Sequence, residues 1–281
     1  MNFFLILLTS SSMLISGCAT LYNPATERKE IVLVTTPMEV LIGQNAAMQL
    51  AQRYAFIKDP REIDRVTEIG ERLVKVSDRT DLKYHFAVVE DKEINAFTMP
   101  GGYIYINSGL IAMTNDDELA CVIGHEIGHV AARHIAKKLQ TQLGYDILMG
   151  IALQNANVSQ MQQVIGVTFN LVELGYSRED ELLSDRLGTK YAYKAGYDPY
   201  AMVSFLKKLN EKDKSSMGPV FLRSHPYASQ RIQLMEKELP SIISKTEENK
   251  TSNQITRVMC QKCRRIFPST VTFCPYDGTK L

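Results

Sequence analysis

The sequence has little net charge and few long apolar runs, and both deficits exclude functions. Its 32 basic and 31 acidic residues leave a formal charge of +1, whereas a surface that binds nucleic acid or an anionic membrane carries a clear basic excess. After the N-terminal apolar run, no stretch offers a membrane span. We therefore expect no nucleic-acid partner. The 281 residues, 45% of them apolar, can bury one large domain with a small appendage.

The N-terminus carries the apolar run FFLILLTSSSMLIS, which ends in small residues before Cys18. The run is too short for a comfortable span and favours a secretory signal, although no Lys or Arg precedes it. Residues 15–18 resemble a bacterial lipobox, in which the signal is cut before a cysteine that is then acylated. We expect a signal peptide at 1–17 and a lipidated tether at 18–37, on the outer membrane facing the periplasm. A plain cleaved signal or a short uncleaved anchor is the alternative.

Composition and periodicity divide the rest of the chain into a large domain and a small module. Helical spacing of apolar residues dominates 38–243, and the stretches YHFAVVE and YIYIN, separated by the turn-rich NAFTMPGG, predict two strands of a small sheet. The polar stretch 244–254 is typical of a linker, and 255–281 reads as a separate module. The sequence thus predicts an α+β protein, mainly α-helical with a small β-sheet.

A helix is predicted from Asn115, whose side chain can cap the first turn while Glu118 completes a capping box, to about Leu139. Within it, the stretch HEIGH places His125 and His129 four residues apart. Such residues lie about 40° apart in azimuth and about 6 Å apart along the axis, so both imidazoles can reach one ion. The apolar flanks would bury the two rings, and unpaired buried imidazoles are costly. The spacing favours a metal site over a helix with two exposed histidines.

The neighbouring acidic residues can complete a hydrolytic zinc site. Glu126 points to one side of the histidines, beside a water on the ion, where a general base is needed. Zinc in such sites takes three protein ligands and keeps one position open. The stretch YSREDELLSDRLG offers Glu181 and Asp185 four residues apart, so that one can bind the metal and the other can accept a proton from a ligand histidine. Glu179 is expected to be solvated.

Four motifs in order resemble those of the bacterial and mitochondrial zinc peptidases that include HtpX, BepA, Oma and the CAAX prenyl proteases. The motifs are NAFTMPGGYIYINSGL, DDELACVIGHEIGHVAARH, YSREDELLSDRLG and SHPYASQRI, and the resemblance runs over about residues 40–235. It implies a mainly α-helical, zincin-like peptidase domain with one catalytic zinc ion.

The resemblance assigns a role to each residue of the site. It makes His125, His129 and Glu181 the zinc ligands. Glu126 becomes the general base that acts on a zinc-bound water, and Asp185 becomes the hydrogen-bond partner of a ligand histidine. These roles agree with the helical spacing.

The other motifs imply contacts around the ion. His225 resembles a position that approaches the zinc from the fourth side, as a gate that displaces the water or as a stabiliser of the transition state; a capped loop histidine is the alternative. The strand around Asn95 to Ile106 offers an edge with which an extended substrate can pair. Gly101 and Gly102 permit a close approach or a turn beside it, and a plain hairpin turn is the alternative.

The C-terminal module resembles a zinc ribbon. Cys260 and Cys263 form a CxxC pair, Cys274 follows, and Asp277 stands where a fourth cysteine is usual. Three thiolates and one carboxylate can bind a second zinc ion. A disulfide between two of the cysteines is the competing prediction in an oxidising compartment.

Together these features predict a lipid-anchored zinc endopeptidase of the cell envelope. The resemblance implies unfolded or extended polypeptides, such as misfolded or stalled envelope proteins, as substrates and the envelope assembly machinery as a candidate partner. The competing function is a chaperone-like or binding protein whose zinc site is closed by His225. A membrane-spanning prenyl peptidase is disfavoured because the sequence lacks further apolar spans. For His134 the sequence indicates no partner, and a structural or solvent-facing role is expected.

Overall fold

The computed structural model describes residues 20–213, 219–253, 257–268, 273–274 and 278–280, so Cys18 and Asp277 lie outside the described residues. The predicted α+β class is confirmed. The helices are α1 (Thr36–Arg53), α2 (Pro60–Val74), α3 (Ser108–Met113), α4 (Asp116–Ala131), α5 (His134–Gln142), α6 (Tyr145–Ala152), α7 (Val158–Glu173), α8 (Arg178–Lys194), α9 (Ala201–Lys212), α10 (Phe221–Ser224) and α11 (Ala228–Asn253). The strands are β1 (Thr20–Asn23), β2 (Arg28–Ile31), β3 (His85–Val89), β4 (Ala96–Met99), β5 (Tyr103–Asn107), β6 (Arg257–Met259) and β7 (Ile266–Pro268). No helix within these ranges is both long and apolar enough to traverse a bilayer.

The main sheet has three strands in the order β3–β5–β4, with β3 parallel and β4 antiparallel to β5. Periodicity alone predicts only β3 and β5, and the edge strand expected around Asn95 to Ile106 is two strands, β4 and β5, joined by the Pro-Gly-Gly turn. The turn itself is as expected, since Gly101 and Gly102 have φ of 77° and 87°, which other residues rarely adopt. Strand β4 therefore lies at an edge of this sheet.

Helix α4 begins as predicted. The Glu118 amide donates to the Asn115 side chain at 2.8 Å, and the Asn115 amide donates to the Glu118 carboxylate at 3.1 Å, which completes the capping box. The helix ends at Ala131 instead of continuing to about Leu139. Arg133 takes a left-handed conformation, φ 60°, while its guanidinium contacts the buried Glu39 at 2.6 Å. This break separates α4 from α5 and changes the direction of the chain.

Two glycines set the distance between α4 and α8. A Cβ atom on Gly188 would lie 2.5 Å from the backbone nitrogen of His125, and one on Gly124 would lie 2.8 Å from the carbonyl oxygen of Gly188. Real Cβ atoms do not come so close, so the two helices approach nearer than larger side chains would permit. The backbones that carry the predicted zinc ligands are thereby brought together.

The segments before and after the large domain differ from the sequence-based expectation. Residues 20–31 form the β1–β2 hairpin where a tether was predicted. The hairpin is docked, because the Asn23 amide donates to the Ala131 carbonyl at 3.2 Å and Lys137 pairs with Glu30 at 2.6 Å. At the other end, α11 continues through 244–253, where a linker was predicted. The division into domains stays a prediction.

Candidate metal centre

Helices α4 and α8 bring the three predicted zinc ligands to one buried point. The Nε2 atoms of His125 and His129 lie 3.0 Å apart, and oxygens of Glu181 lie 3.5 Å and 3.4 Å from them. Each of the three residues is at most 1% exposed. The i, i+4 spacing on α4 and the close approach of α8 produce this convergence together.

The donor set fits a zinc ion. Zinc bonds to imidazole nitrogen and carboxylate oxygen are roughly 2.0–2.2 Å long, so the donors of a tetrahedral site lie about 3.3–3.6 Å from each other. Two of the observed separations, 3.4 and 3.5 Å, fall in that range, and the third, 3.0 Å between the two imidazoles, is slightly shorter. Without an ion at their centre, two imidazoles and a carboxylate so close together would leave buried polar atoms poorly paired.

His225 occupies the fourth side of the same group. Its Nδ1 atom lies 3.2 Å from His125 Nε2 and 3.0 Å from the Glu181 carboxylate, and the side chain is fully buried. It is placed by its position at the C-terminal end of α10 and by the Phe221 ring, which stacks on it with centroids 4.2 Å apart. The four side chains could hold one metal ion together.

Glu126 lies beside this group and outside it. Both of its carboxylate oxygens are buried and make no hydrogen bond to any described residue, and one lies 3.4 Å from His225 Nε2. Burial raises the pKa of this carboxyl, and the neighbouring His225 and His125 offset the rise only in part. A buried carboxylate that accepts no hydrogen bond from the described residues is chemically suited to accept a proton.

Asp185 supports His125 and is itself paired with a residue that the sequence analysis missed. The Nδ1–H group of His125 donates to Asp185 at 2.9 Å. Arg231, 1% exposed, donates to both oxygens of Asp185 at 2.6 and 2.8 Å and contacts Glu181 at 2.7 Å. Burial raises the pKa of Asp185, but Arg231 and the hydrogen bond from His125 outweigh it and hold the pKa below its ordinary value of 3.8.

His129 has a different partner. Its Nδ1 atom lies 2.8 Å from Nδ1 of His134, whose Nε2 atom lies 3.2 Å from Asp180. His134 is 3% exposed, so the solvent-facing alternative is wrong, and it has two partners that the sequence did not indicate, His129 and Asp180. Burial lowers the pKa of His134 to about 4. The Tyr176 ring also stacks on His129, with centroids 3.7 Å apart.

The predicted substrate strand packs against α4, the helix that carries His125 and His129. The Asn95 carbonyl accepts a hydrogen bond from the Asn107 amide at 3.0 Å, which closes the β4–β5 ladder, and its side-chain oxygen is buried with no partner among the described residues. Gly101 packs against the Glu39 backbone, and Gly102 accepts a hydrogen bond from the His85 amide. A pocket of about 500 Å³ opens beside β4. Its lining includes Leu50, Tyr54, Phe97, Met99, Phe169 and Arg223.

The tail cysteines form a second group. The sulfurs of Cys263 and Cys274 lie 3.5 Å apart, well beyond the roughly 2.05 Å of a disulfide bond. With Cys260 they form a cluster that could hold a metal ion. The Cys263 amide points at the Cys260 sulfur at 3.5 Å.

Two turns around these cysteines share one backbone pattern. In each, the cysteine amide donates to the carbonyl five residues on, Arg265 and Thr279, and its carbonyl accepts from the amide four residues on, Arg264 and Gly278. Both of the latter residues have positive φ, 59° and 71°. The described residues of the second turn therefore repeat the two backbone hydrogen bonds and the positive φ of the first.

Comparisons with known proteins agree with the geometry. The model of "Peptidase family M48" matches residues 60–239. The beta-barrel assembly-enhancing protease of Escherichia coli K12 is 30% identical over 207 residues, which are 69% of this chain and 42% of that protein. The mitochondrial metalloendopeptidase OMA1 of Schizosaccharomyces pombe is 28% identical over 232 residues, which are 80% of this chain and 68% of that protein. The match thus spans about two fifths of the bacterial relative's length. The chain belongs to peptidase family M48.

Proposed function

We propose that this chain is a zinc-dependent endopeptidase that cleaves extended segments of cell-envelope proteins. The observation that carries the proposal is the composition of the buried centre. Three donors suited to zinc lie beside a carboxylate, Glu126, which makes no hydrogen bond to any described residue. A merely structural metal site has no use for such a group.

The residues of the site have three roles: they bind zinc, orient a ligand histidine and transfer a proton. When bound, zinc would acidify a water and polarise the peptide carbonyl. His125, His129 and Glu181 would hold the ion, and Asp185 keeps the proton of His125 on Nδ1, so that Nε2 faces the ion. Glu126 takes the proton of the attacking water and returns it to the leaving amine.

His225 closes the site in this conformation. Its Nδ1 atom sits at hydrogen-bond distance from two of the proposed ligands, where a catalytic zinc site needs an open position. We infer that His225 is a gate that must leave for catalysis. The competing function, a binding protein with a closed structural zinc site, is supported by the same contact, and activity measurements separate the two.

The substrate would pair with β4. This strand is at the edge of the sheet, and among the described strands only β5 pairs with it, so the backbone groups on its other side can bind an extended chain of any sequence. Asn95 offers a buried, unpartnered side-chain oxygen next to the strand, and the adjoining pocket offers room for an apolar side chain. Unfolded or stalled polypeptides offer such an extended segment, and folded proteins do not.

The cellular setting follows from the sequence and from the relatives' names. The lipobox-like stretch before Cys18 supports a lipid anchor at the outer membrane, facing the periplasm. The bacterial relative is named for the assembly of β-barrels, which supports envelope proteins as substrates and their assembly machinery as a partner. Mass spectrometry of the membrane-extracted protein tests the anchor, since Cys18→Ser would remove the acyl mass.

The first experiment is cleavage of casein by the purified chain, with zinc measured on each variant. Glu126→Gln should retain zinc and lose roughly 10²–10⁴-fold in rate. Glu179→Gln, on exposed surface two residues from Glu181, is the matched control and should cut normally. His225→Ala should cut faster if this residue is a gate. If no zinc-loaded form cuts casein or a panel of envelope proteins, the binding function replaces the enzymatic one.

We also propose that the tail binds a second zinc ion. The repeated turns around Cys260 and Cys274 support it, because each presents a cysteine on the backbone geometry of a metal-binding knuckle. Asp277 is three residues after Cys274, as Cys263 is after Cys260, and stays the predicted fourth ligand. Wild type should hold two zinc ions and Cys260→Ser one, while Cys121→Ala, in the main domain, should hold two. Wild type with one zinc and fewer reactive thiols would favour the disulfide.

A further inference from the structure

We propose that His134 is a positioning residue for the zinc ligand His129, and that Asp180 keeps His134 in the tautomer that this role requires. The inference rests on the proposed zinc site. It is carried by two contacts: the buried His129 and His134 lie 2.8 Å apart between their Nδ1 atoms, and His134 Nε2 lies 3.2 Å from the half-buried carboxylate of Asp180.

The proton positions on His129 and His134 follow from Asp180, which accepts a hydrogen bond from His134. Asp180 can only accept, so the nitrogen of His134 that faces it, Nε2, carries the proton. In a neutral imidazole the other nitrogen, Nδ1, then has a lone pair. Only one proton fits between the two Nδ1 atoms, and it must come from His129. His129 is thus left with a lone pair on Nε2, the atom that faces the metal centre.

The opposite tautomer would damage the site. If His134 carried its proton on Nδ1, it would donate to His129 Nδ1 and move the proton of His129 to Nε2. That proton would point at the proposed ion and at His125 Nε2, 3.0 Å away. A ligand histidine must be free of a proton on the coordinating nitrogen. Asp180 prevents this arrangement by holding the proton of His134 on the far side.

The break between α4 and α5 allows His134 to contact His129. A continuous helix would carry residue 134 away from His129, since residues five apart lie on different faces. The left-handed Arg133 ends α4 and starts α5 at His134, which turns the His134 ring back towards His129. Asp180 is fixed from the other side, because its second oxygen accepts from the Ser177 amide in the capping box of α8.

The two ligand histidines are therefore supported unequally. His125 donates to the carboxylate of Asp185, whereas His129 donates to a neutral ring. A carboxylate acceptor makes the ligand more basic than a neutral acceptor does. Both sets of hydrogen bonds connect a ligand histidine of α4 to α8, because Asp180 and Asp185 are on α8.

The test compares the affinity of the full chain for zinc, by competition with a chromophoric chelator, in two variants with opposite expectations. His134→Asn keeps an oxygen near the position of Nδ1 that can accept from His129, although it leaves a small cavity. His134→Phe fills the space and cannot accept. We expect roughly 10–100-fold weaker zinc binding in the Phe variant and a smaller loss in the Asn variant. The unfolding free energy of the zinc-free proteins is measured beside it.

A purely structural role predicts the reverse order, since Phe packs better than Asn, so an Asn variant that binds zinc more weakly than the Phe variant would overturn the proposal. Asp180→Ala should weaken zinc binding and Glu179→Ala, its exposed neighbour, should not. If the variants do not fold, ¹⁵N NMR of the wild-type histidines decides: His134 must carry its proton on Nε2, and a proton on Nδ1 refutes the assignment. Wild type without zinc at this centre would overturn the proposed function as well, whereas zinc-loaded wild type and an unaffected Phe variant overturn only this inference.

Discussion

Removing the Arg231 guanidinium should destabilise the zinc-free protein strongly. Arg231 is 1% exposed and binds the two buried carboxylates of Asp185 and Glu181. The change Arg231→Met keeps most of the side-chain volume and leaves both carboxylates without their cation. Breaking a buried ion pair by removing one partner costs roughly 3–5 kcal/mol. We expect a loss of that size in the unfolding free energy, measured by urea denaturation at pH 7 with the metal removed.

The loss of stability in Arg231→Met should depend on pH, which a loss of packing alone would not produce. The folded pKa of Asp185 is below its ordinary value of 3.8, so this group stabilises the fold above that value and the contribution is lost as the pH falls through the folded pKa. Without Arg231, burial would raise the pKa instead, and protonation would relieve the unpaired charge. The difference between wild type and Arg231→Met should therefore shrink from pH 7 towards pH 4.

The matched control is Arg186→Met on α8, the helix that carries the two carboxylates bound by Arg231. Arg186 also binds a carboxylate through two contacts, with Glu238, but the two side chains are 43% and 27% exposed. Pairs at such a surface are worth about 0–1 kcal/mol. If Arg231→Met costs no more than Arg186→Met, or if its cost does not change with pH, the argument from buried charge is wrong.

Three further changes test the frame around the centre. Gly188→Ala places a methyl group 2.5 Å from the His125 backbone, so it should lower the free energy of unfolding by about 1–3 kcal/mol and weaken zinc binding. Gly166→Ala is the control, because no atom lies within 4 Å of the new carbon. It should change neither quantity in the same denaturation and chelator assays. Asn115→Ala removes the cap of α4 and should lower the unfolding free energy by about 1 kcal/mol; an unchanged value would mean that water replaces the cap. Tyr176→Phe removes a buried hydroxyl that has no partner among the described residues and should leave the melting temperature unchanged or higher, and a clear fall would reveal an unseen partner.

The parts of the site that local periodicity determines could be predicted from the sequence. The spacing of His125 and His129 on one helix, and that of Glu181 and Asp185 on another, requires only the geometry of an α-helix. The capping box of Asn115 likewise depends on four consecutive residues. The structure brings these side chains together, and the metal roles assigned to them stay predictions until zinc and activity are measured.

The parts that depend on distant segments could not be predicted. Arg231 binds Asp185, which is 46 positions away in the chain. The sequence around an arginine does not indicate which distant carboxylate it will bind. The partner of His134 was missed because the sequence indicates a continuous helix there, whereas the chain breaks at Arg133, whose guanidinium contacts Glu39 of another helix. Strand β4 was not separated from β5 by periodicity, because a Pro-Gly-Gly turn dominates its local composition. In each case tertiary contacts outweigh the local signal.

The contacts of Arg231 also limit how the proposed gate can open. Its guanidinium donates to the carbonyl of His225 at 3.1 Å while it binds Asp185 and Glu181. The backbone of His225 is thus held by the group that also pairs with two carboxylates of α8, and moving this backbone away would break its buried hydrogen bond from the guanidinium. Rotation of the His225 side chain breaks none of them. On the proposed function, the gate therefore opens by a change of rotamer that releases the fourth side of the centre while Glu181 stays in place, so that opening to substrate does not require loss of the metal.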